Sequence, residues 1–146
     1  RPYNSPMPVE SHEFEVSSKS NCEVIDLTHQ IAKIIDHGGI ADGVVTVFVV
    51  GSTAGITTTE FEPGLVHHDL AAAFEKIAPK DGDYKHEQTW HDDNGHSHIC
   101  ASLLGPSISV PFADRKMKLG TWQQIVLIDF DTRPRKRNIV VQVIGE

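Results

Sequence analysis

The sequence predicts an α+β fold built mainly from antiparallel β-sheets, sandwich-like, with two to three helices. Three observations predict it. Strand-like segments outnumber helical ones and come as adjacent pairs, with no βαβ alternation. The run VVTVFVV, residues 44–50, is β-branched and apolar on both faces, as a strand covered on both sides should be. The chain closes on two strand-like segments, LGTWQQIVLIDFD and NIVVQVIG, joined by TRPRKR.

Residues 1–10, RPYNSPMPVE, carry no apolar signal-peptide core and read as a Pro-rich arm. Residues 12–18, HEFEVSS, alternate at Phe14 and Val16, which suits a half-buried strand. Ser20 and Glu23 have capping-box spacing, so a helix is expected from there. It would carry Val24, Leu27, Ile31, Ile34 and Ile35 at helical period and stop at Gly38-Gly39 after His37. GSTAG after VVTVFVV is a turn of small residues, and residues 56–61 read as a second strand broken by Pro63-Gly64. Residues 65–77 have the spacing of an amphipathic helix ended before Pro79. The stretch 84–105, YKHEQTWHDDNGHSHICASLLG, is expected to be loop as far as Gly95. Residues 98–104 fit a short helix or a strand, with helix favoured, and residues 108–112 a short strand before the closing pair. No repeat, low-complexity tract or linker divides the chain, so residues 1–146 are read as one domain.

A chain of 146 residues can bury a core without disulfides or metal staples. Its net charge of -7 repels a nucleic-acid backbone, and the only dense basic cluster is Arg133, Arg135, Lys136 and Arg137. No apolar run approaches the roughly 20 residues of a membrane span. Neither nucleic acid nor membrane is therefore expected as a partner. Cys22 and Cys100 lie far apart and form no CxxC unit. They read as two buried free thiols of a reducing, cytoplasmic compartment.

Chemistry concentrates in residues 84–105, which hold four of the nine histidines, His86, His91, His96 and His98, with Asp92, Asp93 and Asn94 between them. Imidazoles this dense beside carboxylates suit a metal or acid–base site. His86 and His98 are the best candidates, although the spacing is neither a zinc finger nor HExxH; surface-loop histidines without a role are the equal alternative. His91 and His96 read as bystanders, and His29, His67 and His68 as helix residues explained by exposure or packing. Glu60, ending a strand, and Asp69, in a helix's first turn, are candidate catalytic or ligand carboxylates. Ser52 and Thr53 can present hydroxyls and backbone N–H groups to an anion, against the plain-turn reading. Arg135 and Arg137 can clamp phosphate with guanidinium forks, against the reading of a solvated hairpin tip.

GSTAGITTTE, Asp69, YKH, the Asn94 to Ile99 segment, SLLGPS, LGTWQQI and RKRNIVVQVIGE occur in an order that resembles the YjbQ family, also called UPF0047 or secondary thiamine-phosphate synthase-like. The resemblance begins at about His12 and covers nearly all of the chain. His86 and His98 match family histidines directly. Many members have His-Thr-Ser-Ala where this chain has Gly51-Ser52-Thr53-Ala54, so a histidine is missing at Gly51. The Asn preceding the family's Glu is Thr59 here, and the acidic residue after the GTWQ strand is Asp129 rather than Glu.

The resemblance implies an α+β homotrimer with its site near a subunit interface. It also implies a weak ability to join a pyrimidine pyrophosphate to a thiazole phosphate, giving thiamine phosphate. On that reading Glu60, His86 and Asp69 are catalytic, and Ser52, Thr53, Trp122, Gln123, Arg135 and Arg137 bind a small phosphorylated ligand. His86 and His98 would hold a divalent metal, Zn or Mg, and should then lie within a few ångströms of each other. The alternative is a metal- or small-ligand-binding protein without turnover, motivated by the histidine missing at Gly51.

Overall fold

The structure, a computed structural model, describes residues 6–146; the first five residues of the Pro-rich arm lie outside the described residues. Among the described residues eight strands form two antiparallel sheets. The larger takes β1 (Val9–Ser18), β8 (Arg135–Gly145), β3 (Gly43–Val49), β5 (Ser107–Ala113) and the two-residue β6 (Lys116–Met117), in that order. The smaller takes β2 (Glu23–Asp26), β7 (Gln123–Asp129) and β4 (Ala54–Glu60). Four α-helices accompany them among the described residues: α1 (Thr28–His37), α2 (Leu70–Ile77), α3 (His86–Trp90) and α4 (Gly95–Leu104). A π-helical turn, Leu65–Asp69, leads into α2.

Side-chain alternation makes three layers of these parts. Val45, Val47 and Val49 of β3 and Ile139, Val141 and Val143 of β8 point inward, where they meet Ile56 of β4, Ile125 and Leu127 of β7, and Ile31 and Ile35 of α1. On β7 the intervening residues Val126 and Ile128 face the other way. There they pack with Val66, Cys100, Ala101 and Phe130 beneath the helical segments. The small sheet thus has the large sheet on one side and α2 and α4 on the other. The period-two pattern of VVTVFVV and of the closing strands is the cause of this double burial.

Three expectations need correction. No helix starts at Ser20: Ser20, Asn21 and Cys22 all have positive φ (65°, 54° and 66°), a left-handed turn no helix can include. Ser20 Oγ reaches across to Asp129 and to the Arg133 carbonyl, and Glu23 accepts from its neighbour Lys19 N–H instead of capping. Val24 belongs to β2, paired with Ile128, and the helix opens only at Thr28, whose N–H donates to Asp26 Oδ1 at 2.9 Å. Backbone pairing with β7 overrides a helix-period pattern here. Second, α3 occupies part of the segment expected to be loop. Third, Arg133 to Arg137 do not tip a hairpin, because β7 and β8 lie in different sheets. The connection carries the chain from one sheet to the other, and Arg135 to Arg137 already belong to β8.

Candidate functional site

The end of the small sheet where β4 begins and β7 ends is built on buried charge. Asp129 is fully buried at the end of β7. Arg137, 7% exposed on β8, grips it with a guanidinium fork: Nε donates to Oδ2 at 2.7 Å and Nη2 to Oδ1 at 2.8 Å. Nη2 also donates to Thr53 Oγ1, which donates to Asp131 Oδ2, and Arg135 Nε donates to the same Asp131 oxygen at 2.8 Å. Burial alone would push Asp131 up, but the Thr132 amide, Arg135 and Thr53 outweigh it and hold its carboxyl below the usual range. The network holds the Gly51-Ser52-Thr53 turn from beneath.

His98 holds the same turn from above. Its Nδ1 lies 3.1 Å from the Ser52 carbonyl oxygen, which can only accept, so Nδ1 carries the proton and Nε2 keeps its lone pair. A backbone carbonyl on one ring nitrogen is how proteins aim the other at a metal or a proton.

His86 is brought alongside by two features of the chain. Gly95 lets Tyr84 lie against the start of α4, since a Cβ there would come 2.6 Å from Tyr84 Cβ. His91 and Asp93, both left-handed (φ 56° and 55°), then turn the chain back so that Asp92 and Asn94 face the His86 ring. His86 Nε2 is 3.2 Å from Asp92 Oδ1 and 3.1 Å from the Asn94 amide. That amide is best oriented with its nitrogen toward Asp92 and His86. The His86 and His98 rings meet edge to face with centroids 4.6 Å apart.

Ser52 and Thr53 belong to this end, the first through its carbonyl and the second through its buried hydroxyl. Arg135 and Arg137 also reach it, with their guanidinium groups engaged by Asp131 and Asp129 rather than turned outward as a free pair. Glu60 stands at the other end of β4, six residues past Ala54 and so ~20 Å away. It shares an open groove there with Asp26, Phe61, Glu62, Trp122 and Gln124. Trp122 is 72% exposed, while the Gln123 amide is used locally, donating to Thr58 Oγ1 and accepting from Gly120 N–H. Asp69 is 66% exposed and bonds the adjacent His68. One chain therefore does not gather Glu60, Asp69 and His86 at one point.

The fit to a metal is partial. The Nε2 lone pair of His98 is a suitable nitrogen donor, whereas His86 Nε2 is engaged by the Asn94 amide and would have to exchange that partner for an ion, and no group of three or more His, Cys, Asp or Glu among the described residues is arranged to hold one. Sequence reasoning gave Asp92 and Asn94 no role as partners of His86. The signals for them were their place between the histidines and the turn-forming composition of HDDNG. His96, taken as a bystander, is 8% exposed and lines a cavity on the far side of α4.

The sequence pattern of the family described as "UPF0047 protein YjbQ-like" matches residues 12–146. A UPF0047 protein of Methanothermobacter thermautotrophicus is 36% identical over 140 residues, 96% of this chain and 95% of that protein. One from Archaeoglobus fulgidus is 34% identical over 132 residues, 90% of this chain and 99% of that protein. The crystal structure of a YbjQ-like protein of unknown function from Sulfolobus solfataricus is 33% identical and superposes with a TM-score of 0.89, over 97% of this chain and 100% of that one. The chain belongs to the YjbQ family.

Proposed function

We propose that this YjbQ family member acts on a small phosphorylated heterocycle at the His86–His98 pair, with weak thiamine-phosphate synthase-type activity as the reaction. The observation that carries the reading is the convergence of two imidazoles, 4.6 Å apart, one of them oriented by the Ser52 carbonyl. In that reaction the bond from the pyrimidine methylene carbon to the pyrophosphate oxygen breaks, and a carbon–nitrogen bond to the thiazole forms. The site must steady the departing anion. His86 and His98 would hold a divalent ion, and imidazole donors favour zinc over magnesium. Such an ion supplies positive charge against the phosphate oxygens when bound. Asn94, itself held by Asp92, donates to the His86 ring and fixes it, and the Gly51–Thr53 turn supplies backbone polar groups beside the pair. Glu60 and Trp122 would join the site from a neighbouring subunit of a homotrimer, since one chain holds them at the opposite end of β4. The free state of Cys22 and Cys100 supports a cytoplasmic setting.

Purified protein supplied with the two precursors and zinc should form thiamine phosphate, and the His86→Ala variant should not. Equal product from both, or none from either, defeats the catalytic reading. One observation favours binding without turnover: the guanidinium groups suited to a leaving pyrophosphate are paired with Asp129 and Asp131. Metabolite profiling of protein purified from its own cells separates the two. A retained phosphorylated ligand that is never consumed supports binding, and steady consumption supports catalysis.

A further inference from the structure

An arginine side chain carries five N–H groups, and the buried network accepts from three of those on Arg137. Nε and one Nη2 hydrogen grip Asp129, and the second Nη2 hydrogen goes to Thr53 Oγ1. Both hydrogens of Nη1 are left without an acceptor among the described residues. The side chain is only 8% exposed, and a guanidinium never sheds its charge. Unpaired N–H groups in so buried a cation are costly unless something from outside meets them.

The backbone shows where Nη1 points. A Cβ built on Gly51 would lie 2.8 Å from Nη1 and 4.0 Å from Arg137 Cζ, with nothing else among the described residues within 4 Å beyond the flanking residues of the turn. Nη1 therefore borders the hollow that the missing side chain leaves. Gly51 and Ser52 are both exposed, so the hollow opens to solvent. The sealed side-chain nitrogen and oxygen atoms without a partner, among the described residues, are His12 Nε2 and His96 Nδ1. Arg137 Nη1 is not one of them, so an incoming atom can reach it. We infer that the hollow over Gly51 is a seat for one terminal oxygen of a phosphate group, with Arg137 Nη1 as its donor.

The free nitrogen sets the chemistry. The fork of Nε and Nη2 is spent on Asp129, so this guanidinium cannot embrace a ligand carboxylate along that edge. It offers one nitrogen, and its N–H groups are charge-assisted. Asp129 offsets the charge of Arg137, and Asp131 that of Arg135, so the seat works by directed hydrogen bonds rather than by a large positive field. A tetrahedral phosphate suits a one-point donor better than a planar carboxylate does. It can give one oxygen to Nη1 and turn another toward the Ser52 hydroxyl next in the chain. The choice of phosphate rests on the phosphorylated-ligand reading above, whereas the seat rests on Arg137 and Gly51 alone.

Inorganic phosphate is the probe, titrated calorimetrically into the full chain stripped of metal, with acetate for comparison. Phosphate should saturate and bind more tightly than acetate. Gly51→Ala puts a methyl group into the seat and should weaken phosphate about tenfold, with a urea melt to confirm that the variant folds. Should it not fold, nitrogen NMR of arginine-labelled wild type decides, because the Arg137 side-chain signals should move as phosphate is added. The inference is overturned if phosphate does not saturate, if folded Gly51→Ala binds it unchanged, or if the Arg137 signals stay still. Binding that requires added zinc, or acetate binding as tight as phosphate, overturns it as well. Phosphate binding without thiamine phosphate formation keeps the seat and defeats only the catalytic reading. Product formed without phosphate binding defeats only the seat.

Discussion

Position 51 shows backbone geometry limiting what chemistry a site can regain. Gly51 has φ +131°, a left-handed value that side chains rarely adopt, and a Cβ there would come 2.8 Å from Arg137 Nη1. Placing at this position the histidine that the family resemblance implies therefore meets both strain and the Arg137 guanidinium. Gly51→His should lose about 1–3 kcal/mol in denaturant melts, without any gain in zinc affinity by calorimetry. A stable variant with tighter zinc binding would show that the turn can re-form. His96 gives a pH signature. Burial first, then Lys80, lowers its pKa against the opposing pull of Glu75, Glu87 and Asp93. The unfolded chain thus takes up a proton near pH ~6.5 that the folded chain resists. The stability this contributes is full above that value and falls as the pH drops toward the folded pKa. His96→Phe should flatten that loss, so the stability gap between variant and wild type should shift in the variant's favour from pH 7 to pH 5 in parallel urea melts. A gap independent of pH would disprove the buried neutral state. At this scale the histidine pair was legible from the sequence, because a resemblance marked both members. The burial of His96 was not, because it depends on Phe74 and Phe130 arriving from other elements.

Among the elements, β7 and β8 carry the most consequential contact. Their connection can be taken from sequence as a phosphate clamp or as a solvated hairpin tip, the latter because an Arg- and Pro-containing segment between two strands looks like one. Nothing local distinguishes a turn within a sheet from a crossing between two, and the crossing is what buries Arg137 beside Asp129. Arg137→Met should strand a fully buried carboxylate and cost about 3–5 kcal/mol, read as a lower urea midpoint at an unchanged slope. Changing both partners, Asp129→Leu with Arg137→Met, should recover much of that loss, since the cost lies in the unpaired charge. If the single change is as mild as an exposed one, the pair contributes little. The helix expected from Ser20 failed for a related reason. Val24 and Leu27 fit a helical stripe, but β7 offered an unpaired edge and the left-handed turn at Ser20 to Cys22 delivered the chain to it. Where apolar period and tertiary pairing agreed, as in β3, β8 and α1, the elements were legible to within a few residues.

For the whole molecule, the two-sheet α+β architecture was legible because antiparallel strands announce themselves by adjacency, while the arrangement of the site was not. The structure puts His86 and His98 at one end of the small sheet and Glu60 with Trp122 at the other. A site that uses both needs a second chain. The outer face of the large sheet supplies a means of assembly. Val9 pairs with Ile144, Ile144 with Val44, and Val44 with Pro111, so an apolar row crosses four strands. Val9, Ile144, Val44 and Phe48 are 52%, 43%, 43% and 40% exposed on that face. No helix among the described residues covers it, whereas the opposite face of the sheet is packed against β4 and β7. A contiguous apolar strip of this kind is the sort of surface that subunits bury. Three copies related by a closed rotation would bury it without leaving an open end. Light scattering at micromolar concentration should therefore give three times the 16.1 kDa of one chain. Val44→Glu should reduce that mass to the monomer and abolish any His86-dependent activity together with it. A monomeric wild type would end the trimer outright, and a Val44→Glu protein that stays trimeric would move the interface away from this face.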